Sequence, residues 1–390
     1  MKLKLYPAPL AGEITPPPSK SQGHRLLIAN FLAGGGGQVS GLSDSEDMRA
    51  TIRVMTALME RGNRELLHCG ESGSTLRFLI PVALALKGEG RFTGGGKLME
   101  RPQKPYFEMF EQQGIACELS GDVLTVRGRL QAGIFELAGN VSSQFVTGLL
   151  YALPLLDGES EIRLTSPLES KGYVDMTLEA LAQHGIAVEE MEDGYRVAGG
   201  QVYQFCAAVV EADYSQAGFF YGAQAIGNDV AVIGMNQASR QGDRVIVDYT
   251  ERLQGCGEVV LDVSQCPDLV PPLALMAALR AGERTVIANA ARLRIKESDR
   301  LATVTGELSK LGAVIEERPE ELLITGVDGF CGGAVFAHND HRIAMMLAIA
   351  ASRASAPLVL DGAESVNKSY PDFWTDYARL GGKFEEIKEG

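Results

Sequence analysis

Ser142-Ser143-Gln144 runs directly into Phe145 to Leu156, a stretch with almost no polar side chain, and the reading of the whole chain turns on this pattern. A helix that is apolar on nearly every side has to sit in the middle of a domain, so its polar start is the only part able to meet a ligand. The same figure recurs five times. Ser19-Lys20-Ser21, Ser72-Gly73-Ser74, Asp213-Tyr214-Ser215-Gln216, Pro267-Asp268 and Asn339-Asp340-His341-Arg342 each precede an apolar run, among them Phe78 to Leu86, Leu269 to Leu279 and Ile343 to Ala351. Six helix N-termini, each with free backbone N–H groups and the positive end of a dipole, are natural places for anions.

The spacing of these starts predicts two related halves. Lys20, Gly73 and Ser142 map onto Ser215, Asp268 and Asp340 with a shift of roughly 195 residues, half of the 390-residue chain, so each half holds three units. A second figure interleaves with the first: an amphipathic helix that stops at Gly, as at Leu58 to Gly62, Phe110 to Ile115, Leu181 to Ile186, Leu253 to Gly255, Leu311 to Val314 and Leu380 to Gly382. Gly tolerates the left-handed conformation that commonly ends a helix. Each unit then carries one buried helix, one surface helix and short strands such as Leu124 to Arg127, Tyr195 to Ala198 and Leu322 to Thr325. The alternative is an ordinary α/β domain with evenly spaced loops.

Composition narrows the function class. Hydrophobic residues make up 45% and charged residues 22%, and a chain this long normally splits into two domains. The net charge of −14 argues against a nucleic-acid binder with a broad basic face. Six scattered Cys without a Cys-x-x-Cys pair suggest neither a disulfide framework nor a zinc site. The start Met1-Lys2-Leu3-Lys4-Leu5-Tyr6-Pro7 lacks the apolar run of a signal peptide, and nothing approaches the roughly 18 apolar residues of a membrane span. A cytoplasmic enzyme is the expectation.

On this acidic chain the basic residues gather at or just after the polar starts: Lys20 and Arg25, Arg77, Arg101 and Lys104, Lys171, Lys296 and Arg300, Arg342, and Lys368. Solvated surface positions would explain any one of them, but not the set. The expectation is a site for several negative charges. Familiar nucleotide motifs do not account for it: Gly94-Gly95-Gly96-Lys97 is followed by Leu98 rather than Ser or Thr, and the Gly34 to Gly37 stretch follows a helix and reads as a turn. ATP and NAD are therefore not expected.

Two carboxylate-bearing segments stand out as chemistry. In Lys296-Glu297-Ser298-Asp299-Arg300, Glu297 lies between cations and could hold a transferable proton; the other reading is a surface helix start capped by Ser298. Asp268, after Pro267, is placed to cap the helix from Leu269 or to take part in chemistry. A metal at His338-Asn339-Asp340-His341 is not expected, because ligands so close at a helix start give poor tetrahedral geometry.

Taken together, Ser19-Lys20-Ser21 with Arg25, Gly70 to Arg77, Glu100-Arg101-Pro102, Val141 to Phe145, Ser170-Lys171-Gly172-Tyr173, Lys296 to Arg300, Asn339 to Arg342 and Lys368-Ser369-Tyr370-Pro371 resemble the 5-enolpyruvylshikimate-3-phosphate synthase family, in order along the chain. The resemblance implies an α/β fold of two inside-out barrels, six βαβαββ units with helices inside and sheets outside. It places one domain at residues 1–18 plus 213–390, the other at 19–212, and the active site in the cleft between them. It implies transfer of the enolpyruvyl group of phosphoenolpyruvate to the 5-hydroxyl of shikimate 3-phosphate, through a tetrahedral phosphate ketal, by a monomer with no metal or organic cofactor. It assigns catalysis to Lys20, Asp268 and Glu297. Shikimate 3-phosphate would be held by Lys20, Ser21, Arg25, Ser142, Ser143, Gln144, Ser170, Tyr173, Asp268 and Lys296. Phosphoenolpyruvate would be held by Lys20, Gly73, Arg101, Gln144, Arg300, Arg342 and Lys368.

The chain departs from the family pattern at Glu71, where many relatives have Asn, at Phe78, where they often have Pro, and at Arg292, where some have Asn. Gly73, which in the family leaves room for the inhibitor glyphosate, is kept. The alternative activity is that of the UDP-N-acetylglucosamine enolpyruvyl transferases. Those carry a reactive loop Cys, whereas Cys117 lies in a strand-like stretch.

Overall fold

β1 (Lys2–Tyr6) and β2 (Ala11–Ile14) open the chain, followed by α1 (Lys20–Leu32), β3 (Val39–Ser40) and α2 (Glu46–Met59) in a computed structural model that describes residues 1–35, 38–60 and 65–388. Next come β4 (Leu67–His68), α3 (Gly73–Lys87), β5 (Glu89–Thr93), α4 (Lys104–Gln112), β6 (Ala116–Ser120) and β7 (Val123–Arg127). The pattern repeats in β8 (Ile134–Leu137), α5 (Ser143–Ala152), β9 (Ser160–Leu164), α6 (Lys171–Gln183), β10 (Glu189–Met191) and β11 (Gly194–Val197). After β12 (Ala208–Val209) follow α7 (Tyr214–Ala225), β13 (Asp229–Val232) and α8 (Ile246–Gln254). Then β14 (Val259–Asp262), α9 (Val270–Ala278), β15 (Arg284–Ala288), α10 (Arg300–Lys310), β16 (Val314–Glu317) and β17 (Leu322–Thr325) form another repeat. The chain closes with β18 (Gly333–Phe336), α11 (His341–Ala351), β19 (Leu358–Asp361), α12 (Phe373–Arg379) and β20 (Lys383–Glu386).

Internal contacts divide the chain into Met1–Pro17 with Ala212–Gly390 and, separately, Pro18–Glu211. Four four-stranded sheets share one layout: two parallel strands, then an antiparallel hairpin whose second strand lies inside, as in β4-β5-β7-β6, β8-β9-β11-β10 and β14-β15-β17-β16. In the last of the four, β1 takes the inner hairpin position, giving β18-β19-β1-β20, so the first strand of the chain completes the last unit. Two units keep only a parallel strand pair among the described residues, β2 with β13 and β3 with β12. The reason is chain length. β14 begins five residues after α8 ends and β4 eight after α2 ends, which leaves no room for a hairpin.

These two short sheets also record where the chain crosses. β2 precedes α1 in sequence but pairs with β13 after α7, and β12 precedes α7 but pairs with β3 after α1. Within each unit one crossing segment is tied to the other, Asp213 N–H to the Pro17 carbonyl at 2.9 Å and Ser19 N–H to the Glu211 carbonyl at 2.7 Å.

The six helices α1, α3, α5, α7, α9 and α11 are the buried ones. Every residue of α9 and α11 is buried, and α3 is buried from Thr75 to Leu84. They form the centres of two separate cores, one around Leu273, Met346 and Phe219, the other around Leu79, Phe145 and Leu149. At about 1.5–3 kcal/mol for each large apolar side chain taken from water, such helices owe their stability to their surroundings rather than to propensity. Ser19, Ser72, Ser142, Asp213 and Asp340 cap five of them through side-chain oxygens.

The sixth is the exception and corrects an expectation. Asp268 does not cap α9; it lies in a 3-10 turn, Pro267–Leu269, that leads into the helix without a side-chain cap bond. Pro271 and Pro272 fill the first turn of α9 and carry no N–H, so a cap there has little to satisfy. Nor does Ser298 cap α10. Asp299 does so, accepting from Ala302 N–H at 3.1 Å. The helix end read at Arg61 and Gly62 and part of the Gly34 to Gly37 turn lie outside the described residues.

Candidate active site

In the unit containing both termini, the starts of α9, α10 and α11 bring their charged side chains into one network centred on Arg300, whose side chain is 1% exposed. Its Nη1 donates to Asp268 Oδ1 at 2.7 Å, its Nη2 to Glu297 Oε2 at 2.6 Å and its Nε to Asp340 Oδ2 at 2.8 Å. Arg342 approaches the other side of Asp268, with Nη2 donating to Oδ2 at 3.1 Å, and Lys296 Nζ stands 3.6 Å from Oδ1. Lys368, almost fully buried, donates to the Asn339 carbonyl at 2.7 Å. Asp268, Lys296, Glu297, Arg300 and Arg342, read separately from sequence, are therefore linked in one network through Asp268 and Arg300.

The electrostatics follow from this crowding. Burial works to raise the Asp268 carboxyl, but Arg342, Lys296 and Arg300 outweigh it and hold the group well below the usual carboxylate range. Burial lowers Lys296 from its ordinary value, with Asp268 pulling the other way and Arg300 adding to the drop. Arg300 is itself raised, since Asp340, Glu297 and Asp268 more than offset its burial. Asp340 is fully buried and also accepts from Ser298 Oγ at 3.0 Å while capping Arg342 N–H at 3.0 Å. A charge so placed is stable only because it is paired on every side.

The Pro18–Glu211 unit holds a second group at the starts of α1, α3, α5 and α6. Arg25 is 2% exposed; it donates through Nε to the Tyr173 carbonyl and Thr177 Oγ1, each at 2.9 Å, and through Nη1 to the Ser21 carbonyl at 2.6 Å. Its guanidinium lies over the rings of Phe78 at 5.2 Å and Tyr173 at 5.8 Å. Burial draws it down to about 10, so it stays charged at neutral pH. Phe78, where relatives often have Pro, thus underpins this cation.

Gly73 opens α3 close against Arg101 and Gln144: a Cβ there would meet Arg101 Nη1 at 2.9 Å, so that guanidinium would have to shift, and Gln144 Oε1 at 3.6 Å, an ordinary contact. Gln144 is fixed at both ends of its amide, accepting from Arg77 Nη1 at 2.8 Å and donating to Ser74 Oγ at 3.0 Å. Ser142 caps α5 through the Gln144 N–H at 3.3 Å, and Ser143 follows it, buried. Ser170 takes a left-handed conformation, φ 57°, just before α6, which turns the chain from Ser170 to Tyr173 toward Arg25. Lys20 pairs with Asp47 at 2.8 Å.

Three contributors have no site role from the sequence alone: Asp47 opposite Lys20, which is not singled out there at all, and Arg77 behind Gln144 and Asp340 behind Arg300, which are named there only as parts of polar starts. Arg77 carried the signal of a cation one turn into a buried helix, and Asp340 that of an acid at a helix start beside two bases; Asp47 carried none. Of the departures, Arg292 donates to the Ser264 carbonyl at 2.6 Å, and the Glu71 carboxylate lies against the Gly96 turn. His338 and Asp340 are engaged by Glu307 and Arg300 respectively.

The fold is that of the enolpyruvyl transferases. It matches the EPSP synthase structure from Acinetobacter baumannii with a TM-score of 0.78 at 23% identity, covering 99% of this chain and 100% of that one. An enolpyruvyl transferase from Streptomyces tendae matches with a TM-score of 0.77 at 16% identity, covering 100% and 99%. The chain belongs to the EPSP synthase (3-phosphoshikimate 1-carboxyvinyltransferase) family, whose model matches residues 6–377. Curated relatives named 3-phosphoshikimate 1-carboxyvinyltransferase are 44% identical in Clostridium kluyveri, covering 100% of this chain and 99% of the relative, and 40% identical in Clostridium beijerinckii with the same coverage.

Proposed function

We propose that this chain transfers the enolpyruvyl group of phosphoenolpyruvate to the 5-hydroxyl of shikimate 3-phosphate, releasing inorganic phosphate. The observation that carries the reading is the double grip of Arg300 on Asp268 and Glu297, two carboxylates of opposite duty held by one buried cation. The reaction needs a base to take the hydroxyl proton, an acid to protonate C3, and cations for a highly charged ketal. On this reading Asp268 is the base, Glu297 the acid, and Lys20 assists the departing phosphate.

A carboxylate stabilised by three cations is a weak base at rest. When the carboxylate and phosphate of phosphoenolpyruvate take their share of Arg300 and Arg342, those cations stabilise Asp268 less and its affinity for a proton rises. The base is thus strengthened by binding the substrate it serves. Arg101, Lys368, Gly73 and Gln144 complete the smaller substrate's set. Ser21, Arg25, Ser142, Ser143, Gln144, Ser170, Tyr173 and Lys296 supply the larger one. The enzyme works as a cytoplasmic monomer on diffusible substrates.

The UDP-N-acetylglucosamine alternative is disfavoured by Cys117, which lies in strand β6 with its thiol pushed up to about 11 by burial. Phosphate release with phosphoenolpyruvate and either shikimate 3-phosphate or the UDP-sugar tests the reading. Turnover with the UDP-sugar alone, or with neither, would overturn it.

A further inference from the structure

Every cation assigned to phosphoenolpyruvate in the terminal-containing unit depends on one short turn, residues 337–342, that leads from β18 into the first residues of α11. Lys368 rests on the Asn339 carbonyl, Arg300 on the Asp340 carboxylate, and Arg342 belongs to the turn itself. Its backbone is costly. His338 and Asn339 both have φ of 54°, two successive non-glycine residues in the left-handed region, at about 1–3 kcal/mol each. Asn and His enter this region more readily than most residues, but two in succession remain uncommon. Something outside the turn must hold it.

Glu307 is placed to do so. It lies on the amphipathic surface helix α10, yet its side chain is only 3% exposed. Its Oε1 accepts from His338 Nε2 at 2.7 Å and Lys310 Nζ at 2.7 Å, and its Oε2 from Phe336 N–H at 3.0 Å and Lys310 Nζ at 2.9 Å. An ionised carboxylate only accepts, so the His338 proton sits on Nε2. One buried carboxylate thereby ties down the last residue of β18 and the first strained residue of the turn. The His338 ring also packs on Phe336, with centroids 4.7 Å apart. α10 begins at Arg300, so the helix that carries the central cation also carries the clamp on its partners.

We propose that Glu307 and His338 are positioning residues that set the affinity for phosphoenolpyruvate by holding the 337–342 turn in register with Arg300, Arg342 and Lys368. This rests on the substrate assignment proposed above. Neither residue touches substrate; both act through the turn.

The test measures both KM values and kcat for the full chain and for Glu307→Gln, His338→Asn and the double variant. Asn tolerates the left-handed backbone but cannot reach Glu307, so His338→Asn keeps the fold even if Glu307→Gln does not. Losing a charge-assisted hydrogen bond here raises the KM for phosphoenolpyruvate about 5- to 10-fold, with that for shikimate 3-phosphate within about twofold. The double variant is expected to be little worse than the worse single one. Unchanged phosphoenolpyruvate KM in folded variants, equal rises in both KM values, or a fall in kcat alone would overturn the clamp while leaving the proposed activity intact. An unmodified chain that releases no phosphate from the pair would overturn the activity, and the clamp with it.

Discussion

Arg300 donates to Asp268 Oδ1 at 2.7 Å from a side chain with almost no contact with water, and this bond joins the starts of the two helices to which the proposed function gives opposite proton-transfer duties. Removing Arg300 takes from three buried or half-buried carboxylates the cation they share, and breaking a buried pair in this way typically costs about 3–5 kcal/mol. On the proposed function the network is both catalytic and structural, and variants must be chosen to separate the two roles.

Glu297→Gln does this best. The amide oxygen can still accept from Arg300 Nη2, so the packing survives, but the group can no longer deliver a proton. Turnover is expected to fall by about 10²–10⁴-fold with both KM values within a few-fold. Single-turnover phosphate release measures it, and full activity in the variant would remove Glu297 from the proton path.

Gly73→Ala tests the smaller substrate's pocket. The new methyl would stand 2.9 Å from Arg101 Nη1, so that guanidinium has to move, while the 3.6 Å approach to Gln144 is ordinary contact. Displacing a charge-assisted contact predicts a rise of about tenfold in the phosphoenolpyruvate KM. Glyphosate inhibition, measured at low phosphoenolpyruvate, is expected in the parent and to weaken at least as much in the variant. A variant as sensitive as the parent would mean that Arg101 yields without loss.

Arg25→Lys probes the larger substrate. Arg25 fans its donors to Ser21, Tyr173 and Thr177 while lying over two aromatic rings, a geometry an ammonium cannot reproduce. The KM for shikimate 3-phosphate should rise about tenfold or more with that for phosphoenolpyruvate little changed. Isothermal titration with shikimate 3-phosphate alone gives the same answer without chemistry. Equal affinity would show that Arg25 serves packing only.

Much of this was legible in the residues. All-round apolarity after polar starts marks the buried helices, and the alternation of short and long intervals reflects real architecture: the short ones, Lys20 to Gly73 and Ser215 to Asp268, are the units without a hairpin. What stayed hidden was pairing. That β1 completes the final sheet, and that β2 and β12 each pair beyond the opposite crossing, depends on contacts between residues some 170 to 360 apart, which no local period encodes. Asp268 read as a cap because Asp before an apolar run usually is one; Pro271 and Pro272 were the contrary signal. Glu307 was silent because on a surface helix it looks like any solvated acid.

His24 offers a test of the fold through pH. It is fully buried in α1, with Nδ1 at 2.8 Å from Thr51 Oγ1, in a hydroxyl chain that continues through Thr75 to Ser72, the cap of α3. Burial first, then Lys20 and Arg25, hold the imidazole well below its usual 6.5, so the folded protein keeps it neutral while the unfolded chain protonates it. The stability this contributes is complete above pH 6.5 and is lost as pH falls below it, by about 1.4 kcal/mol per pH unit until the folded group itself titrates. Between pH 7.5 and 5.5 the parent is therefore expected to lose more urea stability than His24→Asn, in which Thr51 keeps a polar partner but no group titrates in this range. Most carboxylates stay ionised over that interval, so the difference isolates His24. Parallel losses in the two proteins would show that the imidazole is accessible to protons in the folded state.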